Sequence, residues 1–193
     1  MVIAHHLMWT AYGFWLPNDP RGSMSREVAA EKIADLGPLH YGRKARQPSS
    51  SELSEFRLQA QSALKYELLS FAADDIQLLA CGFADVIKQK AYTCYACAIM
   101  PDHVHLLIRK HRDKGEAIIE RFQLATRELL IDAGRRPTDH PVWGGPGWNV
   151  FQSTPQQVEN TIRYILNNPV RIGRPMQHWP FVTLYDGWLP GIR

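Results

Sequence analysis

Residues 94 to 108 constrain the fold of this chain more than any other stretch. Two apolar runs, Cys94 to Met100 and Val104 to Ile108, flank the dipeptide Pro101-Asp102, which reads as two strands joined by a hairpin turn. Strand side chains alternate, so His103, His105 and Leu107 share one face while Val104, Leu106 and Ile108 share the other. Two imidazoles therefore project the same way from a rigid strand. That geometry suits a divalent metal, because neutral imidazole is a common ligand and two neighbouring strand-held ligands lose little freedom on binding. The competing reading makes both rings satisfied polar groups on a half-buried strand.

The 193 residues suffice for one domain with a real core, and the 45% hydrophobic, 21% charged balance is that of a soluble globular protein. No apolar run reaches membrane-spanning length and the first fifteen residues lack a cleavage-like signal, so the expected location is the cytoplasm, with no membrane partner. A net charge of +3 permits a polyanionic partner without demonstrating one. Three cysteines cannot complete a disulfide framework. Cys94 and Cys97 form a C-x-x-C, but on a strand their odd separation predicts opposite faces, which does not suit a redox pair; a zinc site of these two with His103 and His105 is a minor alternative.

His5 to Tyr12 reads as a first strand, followed by Phe14-Trp15-Leu16-Pro17-Asn18-Asp19-Pro20-Arg21-Gly22, a segment too punctuated to be regular and too aromatic to be an idle linker. Trp15 and Leu16 either pin this loop to the core or reach a substrate. Residues 23 to 71 read as an insertion. It holds a short helix at Arg26 to Leu36, a basic patch at Arg43, Lys44 and Arg46, a capping box Ser49-x-x-Glu52 opening a helix to about Gln61, and an ambiguous stretch Leu64 to Phe71. Helical stripes follow at Asp74 to Lys90 and Lys114 to Ala133, on either side of strands Tyr92 to Met100 and His103 to Lys110. A glycine-rich loop, Val142 to Gly147, leads into a fourth strand. Thr154-Pro155 then starts a helix expected to end at Asn167-Asn168-Pro169.

Without the insertion the order is β-α-β-β-α-β plus a final helix, the order of an α+β, ferredoxin-like antiparallel sheet. In that architecture the first and third strands are central neighbours and the two long helices cover one face, which leaves His103 and His105 toward the C-terminal helix. On that helix Val158, Ile162 and Ile165 form the apolar stripe, and Tyr164 and Asn168, four residues apart, lie off it as neighbours. Asn168 also has a plain role, since Asn before Pro commonly ends a helix. Together with the histidines they suggest a centre of phenol, metal and amide. A phenol is useful toward phosphodiesters because it forms a covalent phosphotyrosine that conserves the bond for rejoining.

His103-Val104-His105 after Met100-Pro101-Asp102, with Tyr164-Ile165-x-x-Asn168-Pro169-Val170-Arg171 downstream, resembles the single-tyrosine HUH transposases of the insertion sequence 200-like type. Among these the chain is most similar to the REP-associated tyrosine transposases, and Trp9-Thr10-x-Tyr12-Gly13-x-Trp15-Leu16-Pro17-x-Asp19-x-Arg21-Gly22 is similar to the start of one group of them. The resemblance leaves Ser23 to Phe71 largely uncovered. It implies that His103, His105 and Asn168 bind Mg²⁺ or Mn²⁺ and that Tyr164 attacks a single-stranded DNA phosphate, giving a 5′-phosphotyrosine and a free 3′-hydroxyl. It further implies hairpin DNA as partner and a bacterial cytoplasmic setting at the nucleoid, for a monomer or a homodimer. Many relatives carry Gln where this chain has Asn168, and Asn where it has Asp102.

Trp15, Trp143 and Trp148 could stack on unpaired bases, and Arg21, Arg121, Arg127 and Arg171 could contact DNA; for each tryptophan core packing is the competing role. A domesticated hairpin-binding protein without catalysis and a mobile insertion-sequence transposase are the alternative functions. A cyclic phosphoesterase is disfavoured, since no His-x-Ser/Thr pair is present.

Overall fold

The near-continuous apolar runs Cys94–Ile99 and Val104–Ile108 demand cover on both faces of the sheet, and the elements fall accordingly. The computed structural model describes residues 1–28 and 31–191. In chain order the elements are β1 (Ala4–Thr10), β2 (Gly22–Ser23), α1 (Glu31–Ala34), β3 (Gly42–Arg43), α2 (Ser50–Gln61) and α3 (Ala73–Lys90). Then come β4 (Cys94–Ile99), β5 (His103–Arg109), α4 (Gly115–Asp132), β6 (Trp148–Gln152) and α5 (Pro155–Arg171). The main sheet has the order β4-β5-β1-β6 and is antiparallel throughout, with β1 and β5 central. This is the ferredoxin-like arrangement, with α5 added and a small β2–β3 ribbon carried by the insertion.

Leu7 and Trp9 of β1 and Val104, Leu106 and Ile108 of β5 pack beneath α3 and α4 with Leu79, Phe83, Ile118 and Phe122. The opposite face is thinner. There Ala4, Ala96, Ala98 and Leu107 meet Val158 and Ile165 of α5. Each large side chain buried in this way contributes roughly 1.5–3 kcal/mol, so the α3/α4 face dominates the hydrophobic stabilisation. Asp75 opens α3 by accepting from the Ala72 amide (3.2 Å), and the same carboxylate receives Arg135 (2.8 Å) and Arg136 (3.0 Å). Among the described residues no helix is long and apolar enough to cross a membrane.

Three expectations are corrected. Cys94 and Cys97 lie on the same face, under α3 and α4, because a register shift between Cys94 and Ala96 inserts an extra residue into β4. Burial pushes both thiols well above their ordinary range. They point away from the histidines and share no site with them. Of the helix expected at Arg26 to Leu36, residues 29 and 30 lie outside the described residues and only Glu31–Ala34 is helical, with none of its side chains buried. The C-terminal helix does not stop at Asn168: Pro169 lies inside it and the helix runs to Arg171. Leu64 to Phe71 is neither helix nor strand, being tied instead by bonds from Leu69 N to Tyr12 O and from Phe71 N to Pro101 O.

The last residues close the β4 edge. The Gln177 side chain accepts from Ile99 N and donates to Ile99 O, both at 2.8 Å, and Thr183 N donates to Cys94 O at 2.7 Å.

Candidate active site

Strand alternation delivers His103 and His105 to the α5 face, and each ring is anchored through Nδ1. His103 Nδ1 donates to Oδ1 of Asp102 in the hairpin turn at 2.7 Å. That bond, assisted by the nearby positive charge, outweighs burial and holds the Asp102 carboxyl below its usual range. His105, 5% exposed, has Nδ1 3.0 Å from Nε2 of His6. Pairing of Met8 with His105 and of His6 with Leu107 makes the two histidines diagonal neighbours on adjacent strands. Burial pushes His6 down to about 4 and His105 down to about 2, the latter with help from His103 and His6. Both are neutral imidazoles at pH 7. One therefore donates and the other accepts.

His6 went unrecognised in the sequence. The signal was available, because β1 was expected beside β5 and one of the consecutive His5 and His6 had to face the His103–His105 side. His5 takes the other face, with Nδ1 3.1 Å from Asn149 Oδ1.

Helix α5 brings the phenol. Thr154 caps it by accepting from Gln157 N (3.2 Å), Pro155 occupies its first turn, and buried Val158 and Ile165 seat it on the sheet. Tyr164 is left 40% exposed with its ring 5.4 Å from that of His105 and 6.0 Å from that of His6. The Arg171 guanidinium lies 5.4 Å from the centre of the phenol ring. Asn168, 8% exposed, donates through Nδ2 to Tyr164 O at 2.9 Å, which leaves its Oδ1 as the uncommitted atom of the amide.

His103, His105 and Tyr164 line a cleft of about 810 Å³ together with Trp15, Arg21 and Trp148. Trp15 donates to Gly22 O (2.8 Å) and carries the Arg21 guanidinium 3.6 Å over its ring, while buried Asp19 accepts both Nε and Nη2 of Arg21. The Trp148 ring meets the edge of Trp15 at 5.8 Å. Between these walls runs the glycine-rich loop. It is pressed so closely on β1 that a Cβ at Gly144 would stand 2.6 Å from Thr10 Oγ1 and one at Gly147 2.5 Å from Met8 O. The loop is launched by Val142, a β-branched residue at φ 64° held by Val142 N to His140 Nδ1 and Tyr12 N to Val142 O.

The other candidates fall elsewhere. Trp143 is buried in the core. Arg121 is engaged with Asp113 (3.0 Å) on the outside of α4, and Arg127 donates to His140 O (2.9 Å), so neither reaches the cleft, because both guanidiniums are used to fasten neighbouring loops.

With both Nδ1 atoms of His103 and His105 engaged by Asp102 and His6, the Nε2 atoms are the lone pairs left for coordination, which is how metal-bound histidines are normally held. Among the described residues no three His, Cys, Asp or Glu side chains gather as a metal cage. The two imidazoles suit a cation that keeps most of its positions open to oxygen ligands, whereas Asn168, tied to Tyr164 O, is not among the residues lining the cleft.

No protein-family model matches the chain, and no curated protein matches it. Among solved structures it is similar to a REP-associated tyrosine transposase bound to a REP hairpin, at 12% identity and a TM-score of 0.47 over 99% of this chain and 93% of that one. It is also similar to a transposase-like protein of Deinococcus radiodurans R1, at 11% identity and a TM-score of 0.38 over 91% and 93% of the two chains.

Proposed function

We propose that the protein nicks and rejoins single-stranded DNA bearing a hairpin, through a covalent 5′-phosphotyrosine on Tyr164. One observation carries this reading: an exposed phenol and two imidazoles with free Nε2 atoms line one cleft, with the Tyr164 ring 5.4 Å from His105. The phenolic oxygen forms a bond to phosphorus, the bond to the 3′ oxygen breaks, the phenol loses a proton and the departing oxygen gains one. The reverse exchange rejoins the strand, and no water is consumed. His103 and His105 would hold Mg²⁺ or Mn²⁺ through Nε2, with Asn168 Oδ1 as the third protein ligand. Such an ion supplies charge withdrawal from the phosphate and alignment of attack.

The chain's own residues set these groups in place. Asp102 fixes the His103 tautomer, and His6 fixes that of His105 by accepting its Nδ1 proton. Arg171 sets a positive charge beside the phenol, where the phosphate arrives. The test is nicking of a 3′-side-labelled hairpin oligonucleotide with Mn²⁺. Wild type is expected to yield a labelled protein adduct and His105→Ala none, with the fold retained. Undiminished cleavage by folded His105→Ala would overturn the reading.

A further inference from the structure

The insertion between Ser23 and Phe71 supplies part of the cleft wall, through Ser23, Met24, Ser25, Arg43, Gln47 and Arg57. It is fastened to the entry loop at several points: Gly22 pairs with Arg43, Lys44 N donates to Arg21 O (3.0 Å), and the Asn18 side chain donates to Ile33 O (2.5 Å). Its α2 helix is closed by the Ser49–Glu52 capping box. The ribbon ties fix the backbone of Arg43 on the rim, and α2 carries Arg57 into the same wall.

Neither is tied up in a salt bridge among the described residues, although the Arg57 charge adds to the His103 bond in lowering the Asp102 carboxyl. Arg21 is neutralised by Asp19, Arg46 lies 4.0 Å from Glu52, Arg121 pairs with Asp113, and Arg135 and Arg136 pair with Asp75. Arg43 and Arg57 are exposed, and neither has an ion-pair partner among the described residues. Asp102 is the one carboxylate among the described residues lining the cleft, and it is engaged by His103. With Arg21 already matched by Asp19, two unpaired arginines facing a single committed carboxylate give the cleft a net positive wall that suits an anion.

We infer that the insertion is a phosphate clamp, with Arg43 and Arg57 gripping the backbone of the unpaired strand while Trp15 and Trp148 face its bases. This rests on the strand-cleavage reading above, and it assigns the substrate's path across the cleft. A cleft of about 810 Å³ lies within the range of about 300–1,000 Å³ for small-molecule pockets, which is room for a few unpaired nucleotides.

The experiment is fluorescence anisotropy of a labelled single-stranded deoxyoligonucleotide, titrated across salt concentrations, with wild type and an Arg43→Gln/Arg57→Gln double variant. Each lost phosphate contact should flatten the slope of log affinity against log salt by about 0.7, so the double variant should lose about 1.4 and bind at least roughly tenfold more weakly at low salt. Arg46→Gln, outside the cleft, should leave the slope unchanged. Arg57→Glu, checked for fold by circular dichroism, should weaken binding further.

An unchanged slope in the double variant overturns the clamp, as does an equal loss in Arg46→Gln. If wild type binds the strand but never forms an adduct, cleavage fails while the slopes still decide the clamp. If wild type binds no single strand, both fall.

Discussion

The two faces of the central sheet are built from different residues for different ends. Beneath α3 and α4, Trp9 packs against Phe83 and Phe122 with ring centres 5.8 and 6.1 Å away, and those two phenylalanines meet at 4.8 Å. Beneath α5 the strands offer Ala4, Ala96 and Ala98, and His6 and His105 stand where large apolar side chains would otherwise be. The first face is saturated with aromatic area and fixes the strands. The second is shallow, so a single helix can approach and set a phenol beside two buried imidazoles. Rigidity on one side is what permits fine positioning on the other.

Substitutions on each side should separate stability from chemistry. The largest effect expected is for Tyr164→Phe, which should abolish the protein–DNA adduct on denaturing gels while leaving hairpin binding and thermal stability near wild type, because only one oxygen of a 40% exposed ring is lost. An adduct that survives would move the nucleophile to another tyrosine. On the opposite face Phe83→Ala should cost about 3–5 kcal/mol in denaturant unfolding, as expected for emptying a fully buried aromatic site. A cost under about 1 kcal/mol, within the range of surface changes, would show the two faces to be less unequal than drawn.

His6→Phe sharpens the comparison from within the α5 side. Losing a partner that orients a metal-binding histidine typically lowers metal affinity by about 10–100-fold. That loss is expected in Mn²⁺ titrations followed by electron paramagnetic resonance, with His6→Asn recovering part of it, and unchanged affinity in a folded His6→Phe protein would refute the anchoring role. The smallest effect concerns acid. Burial raises the pKa of Asp75, but bonds from Arg135 and the Ala72 amide, with the charge of Arg136, prevail and hold it below its ordinary value. Its contribution is therefore complete above the unfolded value of about 3.9 and lost as pH falls through the depressed folded one. Asp75→Asn should flatten the acid limb of the stability curve below pH 4, and an identical limb would contradict this.

The fold was largely legible because strand alternation, the Ser49–Glu52 box and the Thr154-Pro155 start are local signals that tertiary packing did not override. Where it misled, the cause was nonlocal. The bulge in β4 has no marker in Cys94 to Cys97, and Pro169 is carried inside α5 although Asn-Pro is a local stop signal. In the candidate site the facing of His103 and His105 followed from period two alone. His6 needed the pairing register of β1 with β5, and the approach of Arg43 and Arg57 to the cleft needed the docking of an insertion whose sequence shows only a charged surface.

Gln177 has a consequence for the life of the protein in a crowded cell. Its amide answers both backbone groups of Ile99 as a neighbouring strand would, on the outer rim of β4. Were residues 177–191 removed, that rim would present open donors and acceptors on a run of wholly buried side chains, a template for another chain to join. The segment thus takes the place of a fifth strand along β4, and its removal should show as self-association in light scattering.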